Sequence, residues 1–119
     1  MNVSKVKEIF KKLEYEARER KGLNKTPAER NNYIWKSPVK NKEIKEQFAK
    51  EAENYNCQCR PGDKKREWLY DLVWRNFESG DYISTLLAME IELSDGCGGI
   101  IYDFNKLLQS DANLKIMVF

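Results

Sequence analysis

The chain is 119 residues long, 41% hydrophobic and 34% charged, with three Trp, six Tyr and five Phe. This describes one packed domain and excludes a disordered or low-complexity chain, while the absence of histidine removes His-based triads, Cys-His proteases, HExxH metalloproteases and C2H2 fingers. The net charge of +2 hides a division: residues 1–66 carry 18 Lys/Arg against 10 Asp/Glu, and residues 67–119 carry 3 against 9, a polarity that suits either plain solubility or cations for phosphate beside carboxylates for a divalent ion.

Val3, Val6, Phe10, Leu13 and Ala17 recur at three- and four-residue steps, which predicts an amphipathic first helix stopped near Gly22. The segment MNVSKVKEIFKK has no apolar core, so no export signal is expected. The three cysteines are then expected as free thiols in a reducing cytosol, giving a cytoplasmic localisation. Ser37-Pro38 reads as an N-cap and first helical residue, followed by the stripe Ile44, Phe48, Ala52 and Tyr55 of a second helix. No run approaches the ~18 apolar residues of a membrane span.

The period then changes. Tyr55–Arg60 reads as a short strand closed by Pro61-Gly62-Asp63. Trp68–Phe77 and Tyr82–Leu93 read as two longer strands joined by the turn Glu78-Ser79-Gly80-Asp81, hence a hairpin. After a Gly-rich loop at 94–99, Ile100, Ile101, Phe104, Leu107 and Leu108 mark a third helix, and Leu114–Phe119 a last strand. A strand reached through a helix lies parallel to its partner. The expected class is α/β or α+β, with a four-stranded mixed sheet and an α-β-β-β-α-β core at 38–119 behind an N-terminal helical extension at 1–37, all in one domain.

Asp71 falls within the otherwise apolar run Trp68–Trp74, where a carboxylate costs several kcal/mol unless it is paired, hydrated or bound to metal. Glu90 and Glu92, two residues apart on a strand, point to one face. If the hairpin pairs about its turn, Asp71 can lie across from this region, and three carboxylates converging there call for a cation. Mg²⁺ or Mn²⁺ suits such oxygen donors. The same residues also fit a half-exposed strand with a solvated face and an Asp71 paired to an arginine.

Three stretches carry a resemblance: EWLYDLVW (Glu67–Trp74), MEIEL (Met89–Leu93) and YDFNKLLQSDANLKIMVF (Tyr102–Phe119), with YIWKSPVKNKEIKEQF (Tyr33–Phe48) ahead of them. Together they resemble poorly characterised microbial proteins of the PD-(D/E)xK nuclease superfamily, the restriction-endonuclease-like fold, over about two thirds of the chain. The resemblance implies metal-dependent phosphodiester hydrolysis. Asp71, Glu90 and the backbone carbonyl of Ile91 would hold the ion, Glu92 would hold a second ion or orient water, and Lys106 would stabilise developing charge. Glu92 stands where the superfamily usually has lysine, and Lys106 matches a lysine that in some members moves to the following helix. With Ile100, Phe104 and Leu107 turned to the sheet, however, steps of 100° carry Lys106 toward solvent. Lys64, Lys65 and Arg66 are placed to grip a nucleic-acid backbone, DNA more readily than RNA, or to form a solvated turn.

Cys57-x-Cys59 and Cys97 lack a fourth ligand and are not read as a zinc site; Trp35, Trp68 and Trp74 are read as core before stacking platforms. The rival to a Mg²⁺-dependent endonuclease is an inactive protein of the same scaffold that binds nucleic acid or inhibits a nucleic-acid-processing partner. The strand Leu114–Phe119, appended last, is expected at a sheet edge open to a homodimer or a protein partner.

Overall fold

A computed structural model describes residues 1–22, 37–61, 69–93 and 97–119. Two helices come first, α1 (Val3–Gly22) and α2 (Ser37–Asn54). They are followed by strands β1 (Gln58–Arg60), β2 (Leu72–Glu78) and β3 (Asp81–Ile91), helix α3 (Cys97–Leu108) and strand β4 (Leu114–Val118). The strands form one sheet in the order β1-β2-β3-β4, antiparallel except for the parallel pair β3–β4. The architecture is the expected α+β class with a mixed four-stranded sheet. No helix among the described residues is long and apolar enough to cross a membrane.

Local chemistry fixes the ends of these elements. Asn2 Oδ1 accepts the backbone N–H of Lys5 at 2.9 Å and caps α1. Asn56, at φ 53°, takes the left-handed position after α2 and lets Cys57 N–H reach the Ala52 carbonyl at 3.0 Å. The β2–β3 loop is two residues, Ser79 and Gly80, both at positive φ (52° and 85°). This is the turn whose twist matches paired strands.

Alternation along the strands builds two cores. Leu72, Trp74, Leu87, Met89, Ile91 and Ile116 face α1 and α2, meeting Ile9, Leu13, Ile44, Phe48 and Ala52. Phe10, Phe48, Trp74 and Tyr55 form an aromatic chain through this layer, with neighbouring centroids 5.6, 6.2 and 5.5 Å apart. Trp74 is therefore core, as read from sequence; Trp35 and Trp68 lie outside the described residues. On the other face, Val73, Ala88 and Met117 pack against Leu107 of α3, with Ala112 and Tyr70. Cys57 and Cys59 are free, half-buried thiols beside the first core, and burial pushes Cys59 up to about 11.

Two sequence expectations change here. Asp71 precedes β2, in a bend at 69–71, and is not inside a strand. Helix α3 turns a different face to the sheet than its apolar pattern suggests. Leu107 is buried, but Ile101, Phe104 and Leu108 are exposed, while Asp103 and Lys106 have side chains only 15% and 19% exposed.

Candidate functional site

The site lies on the α3 side of the sheet, where β2 begins and β3 ends. Leu72 pairs with Met89. One step beyond, Asp71 stands opposite Glu90, whose side chain meets Lys106 of α3. Asp71 Oδ2 accepts the Ile91 N–H at 2.7 Å, so the carboxylate continues the strand pairing past the end of β2. Its other oxygen lies 4.0 Å from Lys45 Nζ of α2. The partner is thus a lysine and a backbone amide, where sequence alone suggested an arginine.

Glu90 is 2% exposed, the one charged residue in the core among the described residues. Burial pushes its carboxyl up to about 7, with the negative charge of Asp71 adding to the shift and Lys106 opposing it. Lys106 Nζ stands 2.8 Å from Glu90 Oε1 and 3.7 Å from Asp103 Oδ1. The 2.8 Å contact is a charge pair off the hydrogen-bonding direction, so Oε1 has a cation beside it but no aligned donor. The rings of Tyr70 and Tyr102 lie 5.7 and 5.6 Å from the ammonium. The Tyr70 hydroxyl donates to the Lys106 carbonyl at 3.3 Å, which ties the bend before β2 to α3.

Lys106 therefore does not turn to solvent. Burial alone would lower its pKa, but Glu90, Asp103 and Asp71 raise it, and the net direction is up. Asp103 is raised too, by its own burial first, with Lys106 opposing. A buried carboxylate without a cation is expensive, and that requirement sets the rotation of α3 about its axis.

Glu92 borders this group, and its negative charge adds to the rise of Asp103. Its backbone N–H donates to Val118 O at 2.8 Å, extending the β3–β4 pairing. Its side chain runs to the first turn of α3, where a Cβ added to Gly99 would meet Glu92 Oε2 at 2.8 Å. The close approach sets a carboxylate at the positive end of the helix dipole.

Asp71, Glu90 and Lys106 are thus brought together, and Glu92 reaches the first turn of α3, near enough to act on Asp103. Lys64, Lys65 and Arg66 lie outside the described residues. Sequence reasoning overlooked Asp103, Lys45, Tyr70 and Tyr102; the three-residue spacing of Asp103 and Lys106 was the available signal. Among the described residues no group of three or more Asp, Glu, Cys or His side chains is arranged to hold a metal. The pair Asp71–Glu90, with a buried oxygen lacking an aligned donor, does meet the donor chemistry of Mg²⁺, which takes one or two carboxylates together with water.

No protein family, curated protein or solved structure matches this chain.

Proposed function

We propose that this chain is a minimal metal-dependent nuclease that hydrolyses phosphodiesters in nucleic acid, DNA more readily than RNA. The observation that carries the reading is Lys106 reaching from α3 to a buried glutamate that stands beside Asp71: two carboxylates and a lysine at one point on the end of a hairpin. Asp71, Glu90 and the Ile91 carbonyl would hold Mg²⁺ or Mn²⁺. When bound, such an ion supplies a polarised phosphoryl oxygen and a more acidic water.

The protein's own residues do the rest. Lys106, cationic at neutral pH, counters charge that grows on a phosphate oxygen. Asp103 keeps the ammonium in place, and the two tyrosine rings wall it. Glu92 acts as a positioning residue: its carboxylate at Gly99 fixes the start of the helix that delivers Asp103 and Lys106. Lys64, Lys65 and Arg66 supply phosphate contacts, so binding weakens as salt rises. The protein would work in the cytoplasm, and the outer edge of β4, a terminal strand of the sheet, offers a place for a second copy or a protein partner.

A second reading has its own support. The ammonium already occupies the position beside Glu90, which suits an inactive scaffold that binds nucleic acid or inhibits a nucleic-acid-processing partner. A cleavage panel of plasmid, single-stranded DNA and RNA with Mg²⁺ or Mn²⁺ tests the enzyme reading, alongside Mn²⁺ calorimetry. Cleavage lost in Asp71→Asn, Glu90→Gln and Lys106→Met supports it. No cleavage and no Mn²⁺ binding by the intact chain leaves the second reading in place.

A further inference from the structure

The Lys106 ammonium has two carboxylates within reach, Glu90 Oε1 at 2.8 Å and Asp103 Oδ1 at 3.7 Å. The Tyr70 and Tyr102 rings, 5.7 and 5.6 Å away, favour a cation across this space. Asp103 and Lys106 are neighbours on one face of α3, so a change of side-chain rotamer carries the ammonium from one carboxylate to the other while the helix stays in place. The contact with Glu90 is the shorter, but Oε1 is buried without an aligned donor. Charge holds that pair together, and a stronger charge can replace it.

Charge also decides which carboxylate the ammonium takes. Asp71, Glu90 and Asp103 together with Lys106 carry a net charge of −2. Lys45 lies at the rim, 4.0 Å from Asp71 Oδ1 with its side chain 35% exposed, and is a weak partner. A divalent cation held by Asp71 and Glu90 brings the group to neutrality. It also sets two positive charges against the glutamate that Lys106 now neutralises, and like charges so close repel strongly in a buried place. The division that leaves no charge unmatched gives Asp71 and Glu90 to the divalent ion and Asp103 to the ammonium.

We propose that Lys106 is a two-position side chain, which neutralises Glu90 until a divalent cation takes that carboxylate and then moves to Asp103. The inference rests on the metal-binding reading above and adds a control to it: the ammonium competes with the ion, and Asp103 is a positioning residue that sets metal affinity by receiving the ammonium without touching the metal.

Mn²⁺ calorimetry at pH 8 on the full chain tests this in the wild type, Asp103→Asn, Lys106→Met and the double variant. Asp103→Asn removes the second position and should weaken Mn²⁺ binding about fivefold or more. In the Lys106→Met background the same change should alter binding by less than about twofold. Equal effects in the two backgrounds, large or small, overturn the proposal, because Asp103 would then act on the ion directly or not at all. Wild-type crystals soaked in Mn²⁺ supply a measurement that no variant's folding can spoil. An anomalous peak between Asp71 and Glu90 is expected, with Lys106 Nζ about 3 Å from Asp103 and withdrawn from Glu90. The same peak with Lys106 still paired to Glu90 overturns the inference and leaves the metal reading standing; neither peak nor binding heat overturns both.

Discussion

Glu90→Gln removes a charge and keeps the shape. In the wild-type chain burial lifts the Glu90 carboxyl from 4.5 to about 7, so between those values the folded state holds a proton that the unfolded chain has released. Stability attributable to this group is therefore fully present below pH 4.5 and is lost as pH rises to about 7. At roughly 1.4 kcal/mol per pH unit, the loss is on the order of 3 kcal/mol. Glutamine has no such titration. Lys106 keeps Asp103 at 3.7 Å as its counter-ion, so the substitution leaves no bare ammonium. The variant should match the wild type near pH 4.5 and exceed it by about 2–3 kcal/mol at pH 8. The readout is urea unfolding in EDTA at a series of pH values, taken as variant minus wild type so that other carboxylates cancel. With m of about 1–3 kcal/mol per M, the midpoint at pH 8 should rise by about 1–2 M. A variant less stable than wild type at pH 8 and equal to it at pH 5 would refute the reasoning, because it would place the ionised pair among the net stabilising contacts and the Glu90 carboxyl below its ordinary range.

Lys106→Met should have the opposite pH signature: with the cation gone, Glu90 is more costly to ionise, and the variant should lose several kcal/mol at pH 8 but little at pH 5, again by urea unfolding. Asp71→Ala deletes the acceptor of the 2.7 Å bond from Ile91 N–H and should cost about 1.5–3 kcal/mol at neutral pH; Asp71→Asn, which keeps an acceptor oxygen, should cost clearly less. Gly99→Ala meets only the flexible end of Glu92, Oε2 at 2.8 Å, which can swing aside, so the variant should be stabilised by up to about 1 kcal/mol of helix propensity, less the carboxylate's helix-end contact. In a Glu92→Ala background the same change should stabilise more, a difference that a double-mutant cycle reads directly. Triple substitution of Lys64, Lys65 and Arg66 by Ala should flatten the salt dependence of DNA binding, measured by fluorescence anisotropy, by about 0.9 in slope per lost phosphate contact.

Much of this arrangement is legible in the residues. The Ser37-Pro38 start, the Ser79-Gly80 turn and the crossover to Leu114 specify helix α2, the hairpin and a parallel last strand. The facing of Asp71 and Glu90 is legible only in part. Pairing counted back from Glu78 and Asp81 at the turn would put Asp71 opposite Ala88. Two one-residue register shifts, between Trp74 and Arg75 and between Asn76 and Phe77, carry the partner on to Glu90. Because the two shifts sum to an even step, the sheet face survives while the partner changes. Nothing in the local sequence marks where those bulges fall. Lys106 was misdirected for another reason. A hydrophobic pattern gives a helix its preferred face only when apolar burial outweighs every competing interaction, and at α3 a buried carboxylate on the sheet competes with it.

That competition connects the site to the outer face of the helix. Turning α3 so that Ile101, Phe104 and Leu108 met the sheet would remove apolar surface worth about 1.5–3 kcal/mol for each side chain fully buried. Each is already about half covered, so the gain falls to about half of that. The same turn would withdraw Lys106 from Glu90 and bring out Leu107, and breaking a buried pair costs about 3–5 kcal/mol by itself. The observed rotation wins by a modest margin in one isolated chain, and it leaves the apolar stripe in water. The inner charges and the outer stripe are then consequences of one choice of helix rotation.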